Sequence, residues 1–145
     1  MAGNTFYNDV LIDHNLHPLH KGKLENANLI LEGINPSCGD DIVLQFFVED
    51  DIIKDGAFAG DGCAVSQAST DIMLDMVIGR PKEEALHLAD LFIKMIRGEI
   101  TEEEIDELEE AGALRDVSRM PARVKCAVLG WRTMADVLTK EHHHD

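Results

Sequence analysis

The pattern of apolar and polar positions divides the chain into two parts that meet near Ala64. In the first part, short segments rich in β-branched and aromatic residues alternate with turn signals, which is the pattern of β-strands. The predicted strands are Asn28 to Glu32, Asp41 to Val48 and Ile52 to Phe58. Turn residues lie between them at Gly33, Asn35-Pro36 and Asp50-Asp51. The pattern therefore predicts three antiparallel strands in a meander.

The second part has apolar residues at the spacing of an amphipathic helix. The first stripe ends at Gly79 and consists of Val65, Ala68, Ile72 and Met76. The second ends at Gly98 and consists of Ala85, Leu88, Ala89, Phe92 and Ile96. A third follows Pro121, a residue that suits the first turn of a helix, and it consists of Val124, Ala127, Val128, Trp131, Ala135 and Leu138. Each stripe predicts a helix with one apolar face.

Two shorter helices are predicted from capping signals. Thr101 with Glu104 three residues later forms a capping box, which predicts an acidic helix reaching about Ala111. Asn4-Thr5 predicts a capped helix that stops before His17-Pro18. Strands first and helices afterwards is the order of an α+β fold, with helices covering one face of a three-stranded antiparallel sheet in two layers. A chain of 145 residues fits a single domain, 1–145.

The charge balance excludes one class of partner. Thirteen Lys and Arg stand against twenty-eight Asp and Glu, which gives a net charge of −15. Such a chain repels a phosphate backbone, so we expect no nucleic acid partner, and an acidic surface suits docking onto a basic protein surface. No apolar run approaches the roughly 18 residues that span a bilayer, and the N-terminus lacks the order of a signal peptide. We therefore expect a cytoplasmic protein without a membrane partner.

The cysteines need an explanation other than disulfides, because three is an odd number and cytoplasmic thiols stay reduced. Cys38 falls in a predicted turn, Cys63 precedes a helix, and Cys126 lies in the opening turn or so of the last helix. The partial positive charge of a helix N-terminus favours a thiolate over a thiol. Cys38 and Asp40 stand two residues apart across Gly39, so both side chains can aim at one point.

Three sulfurs and one carboxylate complete a tetrahedron. Zinc accepts this donor set, while thiolates also suit iron-sulfur clusters. The spacing matches no zinc finger, since the chain has no CxxC pair. Taken alone, the residues leave open that the thiols are buried hydrophobic groups.

The strings around the three cysteines resemble those of one known family. Asn35-Pro36-Ser37-Cys38-Gly39-Asp40 is similar to the first cysteine motif of the U-type iron-sulfur assembly proteins, the SufU, IscU and NifU N-terminal family. The string from Gly60 to Ser69, which contains Cys63, resembles the second motif, and Pro121 to Ala127 resembles the third. The motifs occur in the family's order and the resemblance runs nearly end to end.

Two departures from the IscU branch indicate the SufU branch. Lys125 stands where IscU proteins carry a histidine, and the long interval from Cys63 to Cys126 accommodates a SufU-type insertion at about 98–118. The resemblance implies a SufE/NifU-like fold and zinc, or alternatively iron or a transient 2Fe-2S cluster. The implied ligands are Cys38, Asp40, Cys63 and Cys126. It also implies two kinds of partner, a cysteine desulfurase of the SufS type and the downstream Suf cluster-assembly proteins.

The implied activity is sulfur transfer with a desulfurase rather than catalysis by a stand-alone enzyme. An acceptor thiolate attacks the outer sulfur of the desulfurase persulfide. Cys38 is the predicted acceptor, because it lies on a Gly-flanked turn whereas Cys63 and Cys126 are anchored to helices. Arg123, about one turn before Cys126, is predicted to contact a persulfide anion or Asp40, although a solvated helix arginine is equally consistent with the sequence.

Three other functions remain open at this point. The site could serve as a scaffold on which an iron-sulfur cluster is assembled, or as a purely structural zinc module. A zinc hydrolase or deaminase fits less well, because the PCxxC pair of the deaminases is missing. The histidines are predicted to be solvated or docking residues rather than zinc ligands, namely His14, His17, His20 and His87.

Overall fold

The computed structural model describes residues 9–36 and 39–143, with side chains to residue 139. Within these residues the chain forms one three-stranded antiparallel sheet in the order β1-β2-β3, with helices packed on it, so the predicted α+β fold is confirmed. The elements are α1 (Asp9–Leu16), β1 (Leu29–Asn35), β2 (Asp40–Glu49), β3 (Ile52–Asp61), α2 (Ala64–Val77), α3 (Lys82–Ile96), α4 (Glu102–Glu107), a 3₁₀ segment (Glu109–Arg119) and α5 (Pro121–His143). The predicted start of the first helix at Asn4-Thr5 lies outside the described residues.

The first strand is longer than predicted, because Gly33 is part of it rather than a turn residue. Gly33 pairs with Ile42 of β2, and the strand continues to Asn35, which pairs with Asp40. A Cβ atom at Gly33 would overlap the Thr133 hydroxyl of α5, so this glycine lets the helix lie close on the strand. The predicted turn at Asp50-Asp51 is confirmed, and both residues have the positive φ that a tight hairpin needs.

The hydrophobic core lies between the inner face of the sheet and the helices. Alternate residues of β2, Ile42, Leu44 and Phe46, are fully buried. Trp131 of α5 stacks on Phe92 of α3 with ring centroids 4.4 Å apart, as the predicted apolar stripes require. Among the described residues, no helix is long and apolar enough to cross a membrane.

The capping box is present, but the helix that it begins is shorter than predicted. The Thr101 hydroxyl accepts a hydrogen bond from the Glu104 N–H, and the Glu104 carboxylate accepts one from the Thr101 N–H. Helix α4 ends at Glu107, and the following 3₁₀ segment buries Ala111, Leu114 and Val117, which recur at every third position as in a 3₁₀ helix. A SufU-type insertion at 98–118 remains a prediction.

Helices α2 and α5 approach each other closely. A Cβ atom at Gly130 of α5 would come within 2.5 Å of the Thr70 hydroxyl oxygen of α2. Ser69, the residue before Thr70, also contacts α5. Its hydroxyl donates a hydrogen bond of 2.7 Å to the Ala127 carbonyl oxygen. The same hydroxyl oxygen accepts a hydrogen bond of 3.1 Å from the Trp131 indole N–H. This contact therefore sets the separation of the two helices.

We predict that Gly130→Ala destabilises the protein. Alanine favours a helix over glycine by roughly 1 kcal/mol, but overpacking of a tight contact costs about 1 to 3 kcal/mol. The net loss should appear as a lower denaturation midpoint in urea. Adding Thr70→Ala removes the overlapping hydroxyl, so the double variant should lose less stability than the sum of the single changes. Strict additivity of the two changes would contradict this account of the contact.

His14 is not solvated, contrary to the sequence prediction. It is buried, and its Nδ1 and Nε2 atoms each lie 2.6 Å from a carboxylate oxygen, of Asp71 in α2 and of Glu110 in the 3₁₀ segment. Burial alone would lower the pKa of His14, but the hydrogen bonds to Asp71 and Glu110 outweigh it and raise the pKa above its ordinary value of 6.5. His14 therefore joins α1 to two elements distant in the sequence.

We predict a pH-dependent contribution of His14 to stability. Because its pKa is raised in the folded state, the stabilisation is fully present below pH 6.5 and is lost as the pH rises through the raised value. The free energy of unfolding of the native chain should therefore fall relative to that of His14→Gln over this interval. Urea titrations of both chains at successive pH values measure this difference. A constant difference between the native chain and His14→Gln would contradict the assignment.

Candidate metal centre

Three of the four predicted ligands come together in the structure. One ligand atom from each of Asp40, Cys63 and Cys126 lies within 4.8 Å of the other two. The three residues belong to different elements, the first residue of β2, the N-cap of α2 and the second turn of α5. Cys38 lies outside the described residues, so its part in the site remains a prediction.

Asp40 is held in place by the sheet and by the start of α2. It pairs with Asn35 across the β1-β2 hairpin, and only 1% of its surface is exposed. Its Oδ1 atom accepts a hydrogen bond of 2.9 Å from the backbone N–H of Cys63. A carboxylate at the N-terminus of a helix is favoured by the helix dipole. This bond fixes the position of Asp40 next to Cys63.

The second oxygen of Asp40 fits the binding of a cation. Oδ2 is buried and accepts no hydrogen bond from any described residue. An uncompensated buried carboxylate is costly, by several kcal/mol after relaxation. A metal ion bound by this carboxylate and the two sulfurs would supply the compensation. Two thiolates and one carboxylate oxygen are donors that zinc prefers, and one tetrahedral position remains for a fourth ligand.

The two described cysteines differ in their surroundings. Cys63 is half-buried, whereas Cys126 is fully buried and packs in the hydrophobic core. The position of Cys126 near the start of the last helix did not indicate this burial, and the alternative that a thiol is a buried hydrophobic group is met in part by Cys126. The next residue, Ala127, belongs to the contact between α5 and α2. This contact brings the sulfur of Cys126 to the site.

Gly62 provides the space around Asp40. A Cβ atom at this position would overlap the Ser66 hydroxyl and come within 3.3 Å of the Asp40 Oδ1 atom. The Gln67 side chain amide donates a hydrogen bond of 2.7 Å to the Gly62 carbonyl oxygen and holds the segment down on α2. The glycine before Cys63 is thus a requirement of close packing.

Arg123 lies three residues before Cys126 on α5 and is half-buried. Its predicted contact with Asp40 or with a persulfide stays a prediction. The sequence interpretation missed Asn35, which it treated only as a turn signal. Asn35 is buried beside Asp40, and its alternation with Gly33 along β1 could have placed it on the inner face.

Comparisons with known proteins identify the class to which this fold and this cluster of donors belong. The NifU-like N terminal domain family matches residues 6–140. The iron-sulfur cluster assembly scaffold protein IscU of Thermotoga maritima is 40% identical over 140 residues, which cover 97% of each chain. The zinc-dependent sulfurtransferase SufU of Bacillus subtilis is 38% identical over 138 residues, 95% of this chain and 92% of that protein. This chain belongs to the NifU-like N-terminal domain family.

Solved structures agree with this assignment. A crystal structure from Fervidobacterium islandicum, described as a candidate assembly scaffold protein for the SUF system, has a TM-score of 0.85 and 38% identity. The match covers 93% of this chain and 98% of that chain. A NifU-like protein of Brucella abortus shares the fold over the whole of both chains, with a TM-score of 0.87 and 19% identity. The predicted SufE/NifU-like architecture is therefore confirmed.

We predict that Asp40→Asn separates the structural role of this side chain from metal binding. The amide oxygen can still accept the hydrogen bond from Cys63, so the metal-free variant should unfold at the same urea concentration as the native chain or a higher one. Loss of a hydrogen-bond partner of a metal ligand lowers metal affinity by about 10-fold to 100-fold. Because Asp40→Asn changes a ligand itself, zinc affinity should fall by more than this.

The control for this variant is Asp41→Asn, because Asp41 is adjacent but belongs to the opposite face of the sheet. Competition with a chelator measures both affinities. Equal zinc affinity in Asp40→Asn and the native chain would remove Asp40 from the ligand set.

Proposed function

We propose that this protein works in iron-sulfur cluster assembly as a zinc-bound sulfur acceptor, which takes persulfide sulfur from a cysteine desulfurase of the SufS type and passes it to downstream Suf cluster-assembly proteins. The observation that carries the proposal is the cluster of Asp40, Cys63 and Cys126, one ligand atom of each lying within 4.8 Å of the others, in which Asp40 has a buried oxygen without a partner among the described residues. The SufU relative, which is named for zinc-dependent sulfur transfer, supports the same conclusion.

The proposed ligands are Asp40, Cys63, Cys126 and, in the fourth position, Cys38. Zinc in this site would keep the sulfurs as thiolates and hold the connected elements together without redox chemistry. Asp40 keeps its position through the Cys63 N–H, and α2 and α5 hold the two anchored sulfurs. Iron or a transient 2Fe-2S cluster is the alternative occupant. The proposal includes a reducing compartment, the cytoplasm, because these ligands must remain thiolates.

Cys38 is the proposed acceptor because the other two cysteines are fixed to helices. It belongs to the short connection between Asn35 and Asp40, in which Gly39 has a φ of 73° that few other residues adopt. In the transfer step, the Cys38 thiolate attacks the outer sulfur of the desulfurase persulfide. A new S–S bond forms at Cys38 as the desulfurase S–S bond breaks, and the electron pair leaves on the desulfurase cysteine as a thiolate.

Arg123 is the proposed partner for the negative charge of the new persulfide. It lies on α5 about one turn from Cys126, and a guanidinium close to the site can donate hydrogen bonds to an anion. A contact between Arg123 and Asp40 is the alternative role.

A surface beside the site supports docking of a partner protein. Ile12 and Leu16 of α1 are 43% and 66% exposed, and both border a groove against Ala64, the residue after Cys63. Exposed apolar side chains bordering a groove are typical of protein–protein contact sites. The net charge of −15 suits a partner with a basic surface.

A scaffold function is the second candidate, because relatives named as scaffold proteins are also about 40% identical to this chain. The same ligands would then hold an iron-sulfur cluster as cargo. The two functions differ in the purified protein. A colourless protein with one zinc supports sulfur transfer, whereas reconstitution of a stable, transferable brown cluster supports the scaffold.

We predict that Cys38 receives sulfur from the desulfurase. When the zinc-loaded protein is mixed with a SufS-type desulfurase and cysteine, alanine release should increase, and the peptide containing Cys38 should gain the mass of one sulfur atom. Mass spectrometry of alkylated peptides measures the gain. Cys38→Ser should abolish the stimulation while Lys125→Ala, an exposed change beside Cys126, should retain it. Full stimulation by Cys38→Ser would instead favour a purely structural zinc module.

A further inference from the structure

The face of the sheet that points away from the helices carries exposed apolar side chains. Ile30 and Ile34 of β1 are 61% and 57% exposed, and they leave this face on either side of Glu32. Across from Glu32, the half-buried residues Val43 of β2 and Ala59 of β3 continue the same row. An exposed apolar surface bordered by polar residues is typical of a protein–protein contact site.

Three carboxylates border these apolar residues. Asp41 pairs with Ile34 on one side and with Asp61 on the other, so both acids belong to the outer face. A side-chain hydrogen bond to Asp41, and the charge of Asp41, raise the pKa of Glu32 above its ordinary value, so these two carboxyl groups are adjacent. We call the whole group the outer-face patch, and its members are Ile30, Glu32, Ile34, Asp41, Val43, Ala59 and Asp61.

The carboxylates of the outer-face patch lack the cations that other acidic residues of the molecule have. In α4 and the 3₁₀ segment, five carboxylates lie between 2.6 and 3.2 Å from a nitrogen atom of a basic side chain, namely Glu102, Glu104, Glu107, Glu109 and Glu110. None of the ion pairs among the described residues includes Glu32, Asp41 or Asp61. Neighbouring like charges on a sheet are unfavourable. A basic side chain from outside the chain would therefore be complementary to this patch.

The charge of the outer-face patch selects the kind of occupant. A second copy of the chain would place the same carboxylates opposite each other in a two-fold interface, and a nucleic acid would add phosphates. An arginine suits the patch, because its planar guanidinium binds carboxylates through two hydrogen bonds and its aliphatic stem packs on apolar side chains. The patch thus fits a protein surface on which an arginine lies between apolar side chains.

The outer-face patch adjoins the candidate metal centre. Asp41 directly follows the ligand Asp40, and only Gly62 separates Asp61 from the ligand Cys63. A protein docked on the patch would therefore lie at the end of the sheet that carries two of the proposed ligands. This position suits the sulfur donor of the proposed function, which has to bring its persulfide close to the site.

We infer that the cysteine desulfurase docks on the outer-face patch, with one of its arginines between Glu32 and Asp41 and its apolar side chains against Ile30 and Ile34. This inference rests on the proposed function and assigns a docking surface to it. The patch lies on the sheet and is separate from the groove between α1 and Ala64. Its residues act in docking and take no part in metal binding or in the transfer of sulfur.

The test measures alanine release by a SufS-type desulfurase as the concentration of the zinc-loaded protein is varied. The double variant Glu32→Gln, Asp41→Asn removes two charges from the patch. It should raise the half-saturating concentration by about 10-fold and leave the maximal rate and the zinc affinity unchanged, because only docking is weakened. Added salt should raise the half-saturating concentration of the native chain more steeply than that of the double variant.

Two further double variants separate the patch from the net charge of the chain. Glu103→Gln, Asp106→Asn is the matched control, because it removes two charges from exposed positions of α4 and should leave the half-saturating concentration unchanged. Ile30→Thr, Ile34→Thr keeps the β-branched shape that suits a strand but removes apolar contact area. It should raise the half-saturating concentration as the double charge variant does.

The possible failures are distinguishable. If the native chain does not stimulate the desulfurase, the proposed function is wrong and the inference falls with it. If the native chain stimulates and both patch variants have its half-saturating concentration, only the docking surface is wrong. An equal increase in the α4 control also rejects the surface, because net charge alone predicts that outcome.

Nuclear magnetic resonance of the native chain decides the question if the patch variants do not fold. In a protein with labelled isoleucine methyl groups, the signals of Ile30 and Ile34 should shift or broaden when unlabelled desulfurase is added. Ile105, which is half-buried on α4, is the internal control and should keep its chemical shift. Unchanged shifts and widths of the Ile30 and Ile34 signals relative to that of Ile105 would reject docking at the patch.

Discussion

The close contact between α2 and α5 is the constraint on which the rest of the structure depends. Gly130 has no side chain, so the Thr70 hydroxyl can approach the α5 backbone, and Ser69 bonds directly to the Ala127 carbonyl oxygen. Cys63 precedes α2 and Cys126 belongs to the adjoining turns of α5, so this contact determines how far apart their sulfurs lie. A helix pair separated by ordinary side chains would hold the two sulfurs further apart.

The sheet completes the site at the same end of the molecule. The β1-β2 hairpin brings Asp40 to the start of α2, and the Cys63 N–H binds one of its oxygens. The hairpin connection itself contains Cys38, so three donors held by strands and helices adjoin the short segment that carries the proposed fourth ligand. This division suits a site in which one sulfur takes part in exchange while the others remain fixed.

Much of the fold could be predicted because its signals are local. Alternating and helical periods located the strands and the long helices, and the capping box located the start of α4. The role of Gly33 and the burial of His14 were not predictable, because each depends on contacts with residues far away in the sequence. The 3₁₀ segment was not predicted, although its buried residues Ala111, Leu114 and Val117 recur at every third position. The cysteines were grouped by their resemblance to family motifs, since their spacing alone matches no zinc finger.

The central claim is that one metal ion is bound by three sulfurs and one carboxylate oxygen. X-ray absorption spectroscopy of the protein, purified without added metal, measures this ligand set most directly. At the zinc edge, the account predicts three sulfur neighbours at about 2.3 Å and one oxygen at about 2.0 to 2.2 Å. A sample without stoichiometric metal, or zinc surrounded only by oxygen and nitrogen, would contradict it.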